Sequence, residues 1–148
     1  LRTLVEIRQK SDSASTKSSR ILTLFGCGGD RDKGKRPLMA AVAAKYSEAC
    51  FVTSDNPRSE DPDQILNDIW TGFGQDTVHK AKRVLDREDA IRQILQEAKA
   101  GDVVLIAGKG HEDYQEIRGE RRAFSDFDVA TRHLGKEANN EGHYTRSN

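Results

Sequence analysis

Ile21-Leu-Thr-Leu-Phe-Gly-Cys-Gly-Gly29 decides the fold of this chain. A short apolar run stops abruptly at glycines, and Pro37 then opens an alanine-rich stretch, Leu38–Tyr46. An apolar run of this length between turn residues reads as a buried strand. A proline suits the first turn of a helix, where its missing amide costs nothing. Ala49–Thr53 supplies a second strand, so the chain begins as strand, helix, strand. The pattern repeats. Asp61 caps a helix that Pro62 opens, and Ile65, Leu66, Ile69 and Trp70 recur at helical spacing until Gly72. Thr77–Leu85 is ambiguous, with a short strand expected near Arg83–Leu85. Asp86 caps a further helix with an apolar stripe of Ala90, Ile91, Ile94, Leu95 and Ala98, ended by Gly101. Asp102–Ala107 reads as the best buried strand of the chain.

Tyr114–Ile117 and Arg121–Phe124 flank Arg118-Gly119-Glu120 as a hairpin, and Ser125 with Asp126 caps a last helix through Leu134. Leu1, Leu4, Val5 and Arg8 mark one face of a short opening helix. Ser11–Ser19 reads as a flexible loop, and residues 135–148 as a polar, disordered tail. Alternating strands and helices predict an α/β domain: a Rossmann-like, mostly parallel sheet with helices on both faces and a C-terminal hairpin. In such sheets ligands bind beyond the carboxyl ends of the strands. Three charged or glycine-rich loops leave those ends: Gly26–Arg36, Asp55–Arg58 and Gly108–Glu112.

A length of 148 residues fits a single domain. The 24 basic and 24 acidic residues balance, so nothing predicts bulk attraction to nucleic acid or an anionic membrane. No apolar run reaches the roughly 20 residues that span a bilayer, and the first ten residues do not form a signal peptide. Two cysteines are too few for a disulfide framework, which favours reduced thiols and a cytoplasmic setting. Because the chain begins at Leu1, it is expected to be a domain of a longer protein.

The loops exclude several chemistries. Gly26-x-Gly28 lacks the third glycine of a dinucleotide fingerprint, since Arg31 stands there. Gly29-Asp-Arg-Asp-Lys-Gly-Lys35 satisfies a phosphate-loop pattern until its last place, where Arg36 replaces the hydroxyl that would ligate magnesium. The alternatives left are a solvated charged turn, or a loop whose cations face an anionic substrate. Cys27, Cys50, His79, His111, His133 and His143 show no metal-ligand spacing, and nucleophile motifs are absent. Neither a catalytic residue nor a metal ligand is expected. In Asp55-Asn-Pro-Arg58 the proline fixes its own φ and biases Asn56 toward extended geometry. A guanidinium so held can grip a carboxylate through paired hydrogen bonds; the alternative is an Asx-type turn. Glu112 suits an ammonium partner.

Three segments together, Phe25-Gly-Cys-Gly-Gly-Asp-Arg-Asp-Lys-Gly-Lys-Arg-Pro37, Thr53-Ser-Asp-Asn-Pro-Arg58 and Ala107-Gly-Lys-Gly-His-Glu-Asp-Tyr-Gln115, resemble the last domain of the Mur ligases over residues 1–134. The branch they resemble most adds meso-diaminopimelate to UDP-N-acetylmuramoyl-L-alanyl-D-glutamate. The resemblance implies an ATP-dependent amide-forming ligase of peptidoglycan synthesis that works through an acyl phosphate. It implies diaminopimelate contacts at Arg31, Asp55, Asn56, Arg58, Gly108 (through its carbonyl) and Glu112, with Asp30, Lys33 and Lys35 on the ATP side. ATP and Mg2+ would be held mainly by a central domain outside this chain, as would the uridine nucleotide. The chain alone is therefore expected to be inactive and to carry no cofactor. The alternative is a non-catalytic amino-acid-binding or protein-interaction module derived from such a ligase.

Overall fold

The computed structural model describes residues 19–140, with side chains through residue 135. The opening helix, almost all of the serine-rich stretch and residues 141–148 lie outside the described residues. Strands β1 (Ile21–Phe25), β2 (Ala49–Val52), β3 (Ala81–Arg83) and β4 (Val103–Ile106) form a parallel sheet in the order β3-β2-β1-β4. Helices α1 (Lys35–Tyr46), α2 (Pro62–Trp70) and α3 (Arg87–Glu97) make the crossovers, and α4 (Asp126–Asn140) follows the hairpin. The hairpin is β5 (Tyr114–Ile117) with β6 (Glu120–Ala123). The expected Rossmann-like class, with helices on both faces, is what forms.

Residue alternation along the two central strands sorts the core. Phe25, Cys50 and Val52 face α1 and α2, packing with Ala40, Ala43, Ala44, Ile65, Leu66 and Ile69. Leu22, Leu24, Ala49 and Phe51 face α3 and α4, against Ala90, Ile91, Ile94 and Val129. Each large apolar side chain so buried contributes about 1.5–3 kcal/mol. The helix starts match the sequence signals: Asp61 accepts from the Asp63 amide at 3.0 Å and Asp86 from Asp89 at 2.8 Å. Ser125 Oγ accepts from the Asp128 amide.

Four expectations need correction. The third strand lies at Ala81–Arg83 rather than Arg83–Leu85, pairing Cys50 with Ala81 and Val52 with Arg83. It is a polar edge strand held by backbone bonds, so no apolar pattern marks it. β4 is only half-buried, because it forms the other edge of the described sheet. Beside it Leu105 and Ala107 line an apolar groove of about 420 Å³ with Leu38, Met39 and Val42 of α1. The second hairpin strand begins at Glu120, since Arg118 and Gly119 alone make the turn, both at positive φ (52° and 79°). Finally, α4 continues past Leu134 to Asn140. A glycine costs a helix only about 1 kcal/mol, which Lys136, Glu137 and Ala138 as good helix formers offset.

Candidate functional site

The glycine loop and the loop after β2 are built into one another. The Gly29 amide donates to the Asn56 carbonyl at 2.8 Å, and a methyl on Gly29 would lie 1.8 Å from the Pro57 carbonyl oxygen. No other residue fits there. Asp30 receives the Ser59 hydroxyl at 2.6 Å, while its own amide donates to Glu60 at 2.7 Å. Beneath them Arg36 is 1% exposed. Its guanidinium donates to both Glu60 oxygens at 2.9 and 3.0 Å, to Asp68 at 2.8 Å and to the Gly28 carbonyl at 3.3 Å.

These bonds set the acid response of the joint. The Arg36 hydrogen bonds, then the Asp30 amide, hold the Glu60 carboxyl down at about 2 instead of the ordinary 4.5. Asp68 is lowered too, first by Arg36 and then by Gln64. A carboxylate whose folded value lies below its unfolded value contributes stability that is complete above the unfolded value. That contribution is lost as pH falls through the folded one. The thermal midpoint should therefore drop between about pH 4.5 and 2, and Glu60→Gln should flatten the drop. A decline of equal steepness in the variant would assign the loss to other groups.

Arg58 sits at φ +52°, a strained conformation for a non-glycine residue. The hairpin enforces it: the Arg58 amide donates to the Glu116 carbonyl at 3.2 Å, and its carbonyl accepts from the Arg118 amide at 2.7 Å. So held, its Nη1 donates to the Gly29 carbonyl at 2.9 Å. Nε and Nη2 have no partner among the described residues. Exposed Arg31 stands alongside. A methyl on Gly28 would lie 2.7 Å from Arg58 Nη1 and 3.5 Å from Arg31 Cγ, so the two cations flank that glycine.

On the other side of Asn56 lies the acid. Asn56 is 2% exposed; its Nδ2 donates to Glu112 at 2.9 Å, and its Oδ1 accepts from Lys109 Nζ and the Glu116 amide, both at 2.9 Å. Two donors at Oδ1 fix the amide's orientation. Gly108 has φ +116°, and a methyl on it would meet Asp55 Oδ2 at 3.0 Å. Gln115 pins the Asp55 carbonyl at 2.8 Å.

The structure thus brings Arg31, Asp55, Asn56, Arg58, Gly108 and Glu112 together at the carboxyl ends of β1, β2 and β4. Asn56 and Asp55 are buried and committed to the protein, whereas Arg31, Arg58 and Glu112 keep accessible charge. Asp30 and Lys33 turn to Ser59 and Glu60, and Lys35 lies on α1 beside the apolar groove. Much of the glycine loop's backbone is already committed. The amides of Gly29, Asp30, Gly34, Lys35 and Arg36 already donate within the fold. Among the described residues no cluster of three His, Cys, Asp or Glu could hold a metal. Burial pushes both thiols up to about 11, which suits packing rather than nucleophilic work.

Three buried cations escaped the sequence reading: Arg36, Arg87 and Lys109. Arg87, on the first turn of α3, is fully buried, and its Nε and Nη2 each donate to Asp126 at 2.8 Å. It also reaches the carbonyls of Ser54 at 3.3 Å and Ala107 at 3.0 Å, at the ends of β2 and β4. For Lys109 a signal existed: it lies between Gly108 and Gly110, both at positive φ, which turn its side chain inward.

Comparison with known proteins agrees with this geometry. Residues 5–110 match the family "Mur ligase, glutamate ligase domain". A UDP-N-acetylmuramoyl-L-alanyl-D-glutamate--2,6-diaminopimelate ligase of Chromobacterium violaceum is 50% identical over 130 residues, 88% of this chain and 24% of the relative. The ligase of that name from Ectopseudomonas mendocina is 56% identical over 108 residues, 73% of this chain and 22% of its own. A solved structure of a ligase of that name superimposes with a TM-score of 0.78 at 41% identity, over 90% of this chain and 27% of that one. The chain spans about a quarter of the length of the relatives it matches. No described helix is long and apolar enough to cross a membrane. With its glycine loop, its Asp55–Arg58 motif and its Gly108–Glu112 loop joined at one sheet end, this chain belongs to the Mur ligase family.

Proposed function

We propose that this chain is the amino-acid-binding domain of a cytoplasmic, ATP-dependent ligase that adds meso-diaminopimelate to UDP-N-acetylmuramoyl-L-alanyl-D-glutamate. One observation carries the reading. Asn56 joins, in a single wall, a pair of arginines for a carboxylate and a glutamate for an ammonium group. Diaminopimelate exceeds lysine by one carboxylate, so choosing it requires a dedicated cation. The Nε and Nη2 of Arg58, without a partner among the described residues, supply a fork that suits a carboxylate. Glu112, with its side chain 39% exposed, remains open to an amine. The relatives' names and the matching loops support the same substrate.

In the reaction so proposed, ATP transfers its terminal phosphoryl group to the D-glutamate side-chain carboxyl and leaves as ADP. The amine then attacks the acyl carbon and expels inorganic phosphate. The residues of this chain hold the incoming amino acid, orient its amine and make the attack effectively unimolecular. Five amides of the glycine loop already donate within the fold, which supports a nucleotide and Mg2+ held mainly by parts of the ligase outside this chain. The chain by itself is expected to release no phosphate from ATP.

A hybrid tests this reading: residues of this chain replace the matching segment of the Chromobacterium violaceum ligase. The hybrid should release phosphate from ATP in the presence of the nucleotide substrate and meso-diaminopimelate, and far less with L-lysine. Equal turnover of both amino acids, or none with either, would overturn it.

A further inference from the structure

We propose that Lys109 is the positioning residue of the amino-acid pocket, an internal ammonium that locks Asp55–Arg58 and Gly108–Glu112 into one rigid wall. The proposal rests on the pocket reading above. The Lys109 side chain is fully buried. Its Nζ donates to the Tyr114 carbonyl at 2.7 Å and to Asn56 Oδ1 at 2.9 Å. It stands 3.3 Å from Asp55 Oδ1 and 3.6 Å from Glu112 Oε2, 5.8 Å above the Tyr114 ring. The Asp55 contact is ionic rather than an aligned hydrogen bond, and that buried oxygen has no other partner. One ammonium thus touches both acids of the pocket, the amide between them and the strand that carries Arg58's backbone partner Glu116.

Two consequences follow for the site. Asn56 keeps the orientation that aims Nδ2 at Glu112 only while donors hold Oδ1, and Lys109 is one of the two. The distances also count. Lys109 stands closer to the buried Asp55, at 3.3 Å, than to Glu112, at 3.6 Å, so the more exposed acid is the one left open to an incoming amine. Without Lys109, Asp55 would be a buried carboxylate with no cation, a costly state that local rearrangement must relieve. The Lys109 side chain has no exposed surface with which to meet substrate, so it acts through Asn56, Asp55 and Glu112.

The test uses the hybrid ligase described above, with Lys109→Met, Lys109→Arg and the double variant Lys109→Met/Asp55→Asn. Lys109→Met should raise the diaminopimelate KM roughly ten- to hundredfold, the effect of losing a charge-assisted contact. The ATP KM should stay within about twofold and kcat at saturating amino acid within about threefold. Lys109→Arg keeps the charge and should recover part of the loss. Adding Asp55→Asn removes the orphaned carboxylate and should bring the KM back toward wild type, a non-additivity that marks direct coupling. If Lys109→Met fails to fold, the double and arginine variants carry the comparison. An unchanged diaminopimelate KM, or equal rises for ATP and amino acid, would overturn the positioning role. Failure of the unsubstituted hybrid to prefer diaminopimelate would instead overturn the pocket reading itself.

Discussion

Arg87→Ala should lower the stability of this domain by about 3–5 kcal/mol, the effect of stripping one partner from a buried ion pair. Total stability of a domain is about 5–15 kcal/mol, so the variant should be near unfolding. The size follows from what the guanidinium does. It pairs with Asp126 through two bonds of 2.8 Å and satisfies the carbonyls of Ser54 and Ala107. Its loss leaves a buried carboxylate and two carbonyls without these donors. The urea midpoint should fall while the slope of the transition stays constant. Replacing both partners by apolar residues, Arg87→Met with Asp126→Leu, should recover much of the loss. A single variant within about 0.5 kcal/mol of wild type, the range of surface substitutions, would contradict this account.

Arg58→Ala in the hybrid ligase should erase selectivity rather than activity. A satisfied bond to a charged group is worth about 1.5–3 kcal/mol, which raises the diaminopimelate KM roughly ten- to hundredfold. The L-lysine and ATP values should barely move, because neither meets the lost fork. Arg58→Lys should recover little, since an ammonium cannot grip a carboxylate with two parallel bonds. Strain gives a second check. Arg58 is held at φ +52° by the hairpin, and Arg58→Gly, which adopts that conformation freely, should match the kinetic loss with a better-preserved fold. Equal rises for diaminopimelate and ATP would place Arg58 in the scaffold alone.

The elements whose signals are local were legible in the sequence. β1 and β2 are short apolar runs ended by glycine or polar turns, and Asp61 and Asp86 cap their helices as their spacing implies. β3 departs from the expected place because in Ala81-Lys82-Arg83 only the small, half-buried Ala81 packs on the core while Lys82 and Arg83 are exposed, so hydropathy carries little trace of it. β4 reads as the most buried strand because Val-Val-Leu-Ile is as apolar as any interior strand, yet it is half-buried. Sheet order, which puts it at the described edge, is a property of topology. The charged set of the pocket was readable as loops at strand ends. Its internal supports were not, since a buried lysine or arginine is spelled like a solvated one. Arg36 entered the sequence reading only as a missing hydroxyl, and the structure makes it the bolt between two loops.

The contact of Gly29 with Pro57, too close for a methyl, has a consequence for inheritance. If these loops choose the amino acid as proposed, that choice is not the property of any one segment, because the seat of Asp55–Arg58 is moulded by the glycine loop on one side and by Gly108–Glu112 on the other. Recombination that breaks between these segments would transplant the letters of the specificity motif without its mould. Drift in amino-acid preference among such ligases should therefore proceed by exchange of the whole cassette, or not at all.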